Sequence, residues 1–293
     1  MGTFYVTDML DVLRAAGCKV AESSTTNGWQ TRARSSGGFP GAPLGIQWHH
    51  TASRTSPAND LAYNVNPANS GPIGNCLLDR TGTYWPVAAG AANTAGKGGP
   101  MKLSRGTVAV DNANATTFAI EAANDGVGEP WPQVQIDAYF AGSNALNRRW
   151  GNQPEDIFSH ALGAGDGWTN RKIDPATAAA VQGPWRPRSV NSSGTWSLAD
   201  MRAECRRRWT AQPAPEPEPE DDDMQKQALI VTSGPGGQTS GAIALCDVAF
   251  RSKLFLEASD ADALRALGYE SVTVEGATFD RIPGAQQWQE TSA

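Results

Sequence analysis

The stretch Pro213-Ala214-Pro215-Glu216-Pro217-Glu218-Pro219-Glu220-Asp221-Asp222-Asp223 constrains this chain more than any other feature. Proline fixes φ and removes an amide donor, and the clustered carboxylates repel one another, so the segment can neither extend a helix or sheet nor bury itself. It reads as an extended, solvated linker over residues 210–227, and folding must happen on either side of it. The 293 residues therefore divide into a large first domain, residues 1–209, and a small second one, residues 228–293. All three histidines and nine of the ten tryptophans precede the linker. Any histidine chemistry belongs to the first domain.

The linker also explains the charge. Of a formal −6, residues 210–223 supply six acids and no base, residues 224–293 five bases and eight acids, and residues 1–209 nineteen bases against sixteen acids. The larger domain is thus slightly basic and would not be repelled by an anionic polymer. Its densest basic cluster, Arg206-Arg207-Arg208, closes a helix expected to begin at Ser197, where cations complement the helix dipole. No nucleic-acid partner is expected. No apolar run approaches the roughly 20 residues of a membrane span, and Met1-Gly2-Thr3-Phe4-Tyr5 has neither the basic nor the apolar part of a secretory leader, so synthesis in a cytoplasm is expected. Cys18, Cys76, Cys205 and Cys246 form no CxxC pair and read as reduced thiols.

Along the first domain, Thr7–Ala16 reads as a helix stopped by Gly17, and Leu44–His49 as a strand. Ser56-Pro57 is a helix-start signal. Cys76–Val87 reads as two strands around a glycine-containing turn, Thr117–Ala122 as a further strand, and Gln133–Trp150 as the longest helix. Strands alternating with helices predict an α/β fold in which a central sheet is flanked by helices. After the linker, Ala228–Thr232, Ala242–Leu245, Lys253–Leu256 and Ser271–Val274 read as strands and Ser259–Leu267 as a helix. That is a small α+β unit of marginal core size, which contact with a partner or oligomerisation would help.

Three histidines allow few arrangements. His49 and His50 end a strand, and because strand side chains alternate they point apart, so at most one of them naturally joins a site on a given face. His160 lies in Phe158-Ser159-His160-Ala161-Leu162-Gly163, followed by Lys172-Ile173-Asp174-Pro175. Two histidines and one carboxylate that converge would give a tetrahedral zinc one position open to water, the pattern of catalytic rather than structural sites. A lone histidine at a strand end is otherwise a hydrogen-bonding core residue. Glu121, embedded in the apolar Phe118-Ala119-Ile120-Glu121-Ala122, either meets a cation or serves a site, because a buried carboxylate is costly without a partner. Lys172 and the metal are its candidate partners. Trp131 and Trp168 are candidates for stacking on sugar rings, with core packing as the simpler reading. Ala88–Pro100, small and glycine-rich, reads as either a substrate-side loop or an ordinary surface loop.

Four segments in order, Gly45-Ile46-Gln47-Trp48-His49-His50-Thr51-Ala52-Ser53, Leu77-Leu78-Asp79-Arg80-Thr81-Gly82-Thr83, Phe118-Ala119-Ile120-Glu121, and His160 through Lys172-Ile173-Asp174-Pro175, resemble the zinc N-acetylmuramoyl-L-alanine amidases. This type 2 amidase family is related to peptidoglycan recognition proteins and to the amidase lysozyme of T-odd phages, and the likeness spans roughly residues 5–185. Leu10-Asp11-Val12-Leu13-Arg14-Ala15-Ala16-Gly17-Cys18 with Gly28-Trp29-Gln30 looks like lysins of phages that infect actinobacteria. The resemblance implies a mixed central sheet flanked by helices. It implies zinc held by His49, His160 and Asp174, with Glu121 as acid/base and Lys172 as the transition-state lysine. His50 is implied in packing or behind the ligands. Asn75 and Thr94 stand near places where many relatives carry a histidine, which marks them as candidates for contacts behind the metal or with substrate. The implied activity is hydrolysis of the muramoyl–L-alanine amide of peptidoglycan by an endolysin. Such a lysin is made in the host cytoplasm and released to the wall through a holin. The alternative is a non-catalytic peptidoglycan-binding module of the same fold. The C-terminal unit is expected to bind a wall polymer or to oligomerise.

Overall fold

The computed structural model describes residues 2–162, 167–177 and 181–211 and, as backbone, the strands at 228–233, 243–247, 253–256 and 270–274. The chain divides into two compact units, Met1–Gln212 and Pro213–Ala293. The elements of the first unit, in chain order, are α1 (Met9–Ala15), β1 (Lys19–Val20), β2 (Ile46–His50), α2 (Pro57–Val65), β3 (Cys76–Leu78) and β4 (Thr83–Pro86). They continue with β5 (Met101–Leu103), β6 (Gly106–Val108), α3 (Ala113–Thr116), β7 (Phe118–Ala122), α4 (Gln133–Arg149), β8 (Ile157–Ser159) and α5 (Leu198–Ala211).

Six strands form one mixed sheet in the order β1-β4-β3-β7-β2-β8. Only the β3–β4 pair is antiparallel, as a tight Asp79–Gly82 turn requires; the other neighbours are parallel. The central strands β2 and β7 are buried at every position. Parallel strands joined by crossover helices are covered on both faces, so they cannot keep a polar side in water. Here α4 covers one face. Trp48 stacks on Tyr139 with ring centroids 3.7 Å apart, and its indole N–H donates to Ser143 Oγ at 2.9 Å. The opposite face of β3 turns Leu77 towards Leu61 of α2, while its neighbours Cys76 and Leu78 join the main core, the alternation a strand imposes. Helix α2 starts as its sequence signals: Ser56 Oγ accepts from the Asn59 amide at 3.3 Å, and Pro57 occupies the first turn.

The long elements lie where the sequence places them, with ends shifted by a residue or two; β2 runs one residue further than expected, to His50. The short ones, β1, β8, α3 and the β5–β6 hairpin, carry too few residues for any periodicity and were not anticipated. Helix α5 begins at Leu198, but its arginines do more than complement a dipole. Arg206 pairs with Glu155 at 2.9 Å, Arg207 with Glu204 at 2.6 Å, and Arg208 with both Glu204 and Asp137 at 2.7 Å. The three free thiols described, Cys18, Cys76 and Cys205, lie in or against the core.

In the second unit, β9 (Ala228–Ser233), β10 (Ile243–Asp247), β11 (Lys253–Leu256) and β12 (Glu270–Val274) form a four-stranded sheet in the order β11-β10-β9-β12. Among the described residues its parallel pair is β9–β12. The expected helix at 259–267 and the linker run lie outside the described residues. No helix among the described residues is long and apolar enough to cross a membrane.

Candidate metal centre

Parallel strands end together, so the C-terminal ends of β2, β7 and β8 form one edge from which side chains can converge. His49 lies in β2 opposite Glu121 of β7 in register. His160 follows β8 directly, and its amide continues the ladder to Trp48 O at 3.2 Å. Asp174 is brought to the same edge because its carbonyl accepts from the Ala161 amide at 2.9 Å. Residues far apart in sequence thus meet. Nδ1 of His49 and Nδ1 of His160 lie 3.1 and 3.0 Å from the same oxygen, Asp174 Oδ2. The three side chains are buried, and each offers a ligand atom within 4.8 Å of the others.

The protons of this cluster favour an ion. Nε2 of His160 faces the Ala95 carbonyl at 3.1 Å, which can only accept, so that nitrogen carries hydrogen. Its Nδ1 faces an acceptor too. A neutral His160 would aim its Nδ1 lone pair at the Asp174 carboxylate, a repulsion that either a proton on Nδ1 or a cation among the three atoms relieves. Burial, seconded by His160, pulls His49 down to about 4, so its imidazole is neutral at pH 7. Burial opposes the charged form of Asp174, but hydrogen bonds from His160 and His49 hold its carboxyl well below the usual range. Two imidazole nitrogens and one carboxylate oxygen suit a divalent metal of zinc type with a position left open.

Glu121 Oε1 lies 3.7 Å from His49 Nδ1, beside the cluster. Burial first, and then the charge of Asp174, raises Glu121 well above the ordinary carboxylate range, while Lys172 acts in the opposite direction. Lys172 is exposed and borders the same cavity, a cleft of about 910 Å³ that also reaches His50, Thr94, Asp125 and Tyr63. His50 is the last residue of β2 and, against the expectation that only one of the two histidines joins a site, borders this cavity together with His49. Thr94 borders the cavity as well, with its amide held by Asn114 Oδ1 at 2.8 Å.

Asn75 lies elsewhere. It is fully buried, with its amide nitrogen on the carbonyls of Ala88 and Gly90 and its oxygen accepting from the Ala119 amide, so it ties β7 to the loop after β4 and does not border the cavity. Trp131 and Trp168 are core residues, 0% and 2% exposed, with indole N–H groups on the carbonyls of Ala176 and Ala95. Neither presents a face to a sugar.

Two features escaped the sequence reading. Tyr139 of α4 reaches between β2 and β7: its hydroxyl accepts from the His49 amide at 2.9 Å and shares its proton between the carbonyls of His49 and Ile120. Nothing in the local pattern of a helical tyrosine signals this. Asp125 Oδ1 collects the amides of Val127, Gly128 and Glu129, and Asp125 also pairs with Arg54, while Arg80 pairs with Glu129 and donates to Ser53 O at 2.7 Å. These bonds fix one rim of the cleft. The Asn124-Asp125-Gly126 turn signature was there to be read.

Residues 40–177 match the family model described as N-acetylmuramoyl-L-alanine amidase. Among solved structures, the endolysin N-acetylmuramoyl-L-alanine amidase LysCS from Clostridium intestinale URNW is similar at 18% identity and a TM-score of 0.33, over 48% of this chain and 80% of that one. The amidase AmiD from E. coli, in complex with an anhydro-N-acetylmuramic acid peptide, is similar at 21% identity and a TM-score of 0.37, over 50% of this chain and 57% of that one. The amidase LysC from Clostridium intestinale URNW is similar at 17% identity and a TM-score of 0.36, over 52% and 93%. No curated protein matches the chain.

Proposed function

We propose, on the premise that residues 40–177 form a domain of the N-acetylmuramoyl-L-alanine amidase family, that this chain hydrolyses the amide between muramic acid's lactyl group and L-alanine in peptidoglycan. The observation that carries the reading is the convergence of His49, His160 and Asp174 beside a buried carboxylate, Glu121. A zinc ion held by the two Nδ1 atoms and the Asp174 carboxylate would supply Lewis acidity and lower the pKa of water from about 15.7 towards about 7.

The chain's own groups do the rest. Glu121, whose proton affinity burial has raised, takes the proton of the attacking water and returns it to the departing L-alanine nitrogen, since one carboxyl can serve as base and then acid. The Lys172 ammonium, at the mouth of the same cavity, stabilises the negative charge that develops on the carbonyl oxygen. The products are an intact glycan and a stem peptide with a free N-terminal alanine. A binding module would need neither a complete ligand set nor a buried carboxylate against it, which favours the enzyme over the non-catalytic alternative.

Digestion of purified cell walls with end-group analysis tests this. New N-terminal alanine is expected; new reducing sugar would mean a glycosidase, and no product from zinc-loaded protein would mean a binding module. Asp174→Ala should abolish zinc retention, whereas Glu121→Ala should retain zinc and lose turnover. Equal zinc content and activity in both variants and the parent would refute the assignment.

For the cellular role we propose an endolysin, made in a host cytoplasm and released through a holin, on the likeness of residues 10–30 to phage lysins. Coexpression with a holin should lyse a susceptible host, and the chain alone should not. The C-terminal unit is proposed to hold the enzyme on the wall, where tethering raises its effective concentration at the substrate. A chain ending at residue 212 should keep its tryptophan-monitored unfolding but lose cosedimentation with walls; undiminished cosedimentation would remove this role.

A further inference from the structure

We propose that His50 and Trp131 are positioning residues that set the Asp174 carboxylate for the metal by gripping the main chain of Ala176. The inference rests on the reading of Asp174 as a ligand. Nδ1 of His50 accepts from the Ala176 amide at 3.3 Å, and the Trp131 indole N–H donates to the Ala176 carbonyl at 2.9 Å. Both polar groups of one peptide residue are therefore held by side chains, two positions after the ligand.

The three carbonyls before Ala176 are held as well. The Ile173 carbonyl accepts from Thr195 Oγ1 at 2.8 Å, that of Asp174 from the Ala161 amide at 2.9 Å, and that of Pro175 from the Trp196 amide at 3.0 Å. Two of these anchors are chain neighbours of the other ligands: His50 follows His49, and Ala161 follows His160. Each histidine ligand thus has as its chain neighbour a group that places the third ligand, and the three donors are tied together through the main chain.

His50 itself has little freedom. Its side chain accepts an N–H at Nδ1, which fixes hydrogen on Nε2. Its ring lies against Gly126, where an added Cβ would come within 2.0 Å of Cε1, and 6.3 Å from the Trp131 ring, centroid to centroid. His50 is not one of the three residues whose ligand atoms converge, so its influence on the metal passes through Ala176 and Asp174. Groups behind metal ligands typically change affinity by about 10–100-fold when removed.

Zinc affinity of the full chain, measured by competition with a chromophoric chelator, tests the inference alongside the unfolding midpoint and the visible spectrum of the Co(II)-loaded protein. His50→Leu removes the acceptor and should weaken zinc by about 10-fold or more and alter the cobalt spectrum. His50→Asn, whose Oδ1 falls near the place of Nδ1, should restore affinity to within about 3-fold of the parent. Trp131→Phe keeps an aromatic ring without the donor and should weaken zinc in the same direction. Should His50→Leu fail to fold, the comparison of His50→Asn with Trp131→Phe decides. Variants that lose stability yet keep the parent's zinc affinity and cobalt spectrum would overturn the positioning role. A parent that binds no zinc would overturn the metal reading itself, and this inference with it.

Discussion

Tyr139→Phe removes one oxygen atom, and the structure says what that atom holds. The phenol stands fully buried between β2 and β7, accepts from the His49 amide, and donates to the His49 and Ile120 carbonyls. Phenylalanine keeps the stack on Trp48, so the loss is polar rather than apolar. The buried His49 N–H loses an acceptor at about 1–3 kcal/mol, and the hydrogen bond to a carbonyl contributes a further ~1 kcal/mol, which together predict about 2–4 kcal/mol. Tyr84→Phe is the control. Its hydroxyl makes a single bond, to Ala138 O at 2.9 Å, so about 1 kcal/mol is expected. Urea unfolding of the full chain followed by tryptophan fluorescence isolates the first unit, because nine of the ten tryptophans lie in it. The Tyr139 variant should also weaken zinc, since the released main chain belongs to a ligand. A Tyr139→Phe midpoint equal to that of Tyr84→Phe, at an unchanged slope, would show that the bridging hydroxyl contributes no more than an ordinary one.

Gly74 has φ +76, and a Cβ there would lie 2.9 Å from Glu121 Cγ; Gly74→Ala should cost about 1–2 kcal/mol from its backbone conformation and reduce turnover by displacing the carboxylate, while zinc affinity stays near the parent's. Unchanged turnover would mean that Glu121 tolerates displacement. The Arg207 hydrogen bond, and then that of Arg208, hold Glu204 below its ordinary value. A carboxyl whose folded pKa is depressed contributes stability above its unfolded pKa of about 4.3, and that contribution is lost as pH falls through the lower folded value. Melting midpoints taken from about pH 6 down to about pH 3 should therefore fall less steeply for Glu204→Gln than for the parent; parallel curves would exclude this carboxyl as a source of acid sensitivity.

The sequence by itself pointed to a division of the chain, because a run of prolines and carboxylates extends neither helix nor sheet. It also determined the long elements. The apolar positions of β2 and β7, the Ser56-Pro57 start of α2 and the length of α4 express local periodicity and local capping, which need no distant partner. The candidate ligands came from a different source: three histidines leave few combinations, and the resemblance to the zinc amidases singled out His49, His160 and Asp174 among them. Tertiary structure decided how they meet. Only the parallel pairing of β2 with β7 and β8 puts His49, Glu121 and His160 on one edge, and only the Asp174–Ala161 contact brings the carboxylate to them. It also separated Asn75 from the cavity and placed Trp131 and Trp168 in the core, since the partners of a buried amide or indole are main-chain groups that no side-chain pattern records. The role of Tyr139, and the Ala176 contact through which His50 acts, were hidden on the same ground. Each acts through a hydrogen bond to the backbone of a segment distant in sequence, and such bonds exist only once the sheet has closed around them.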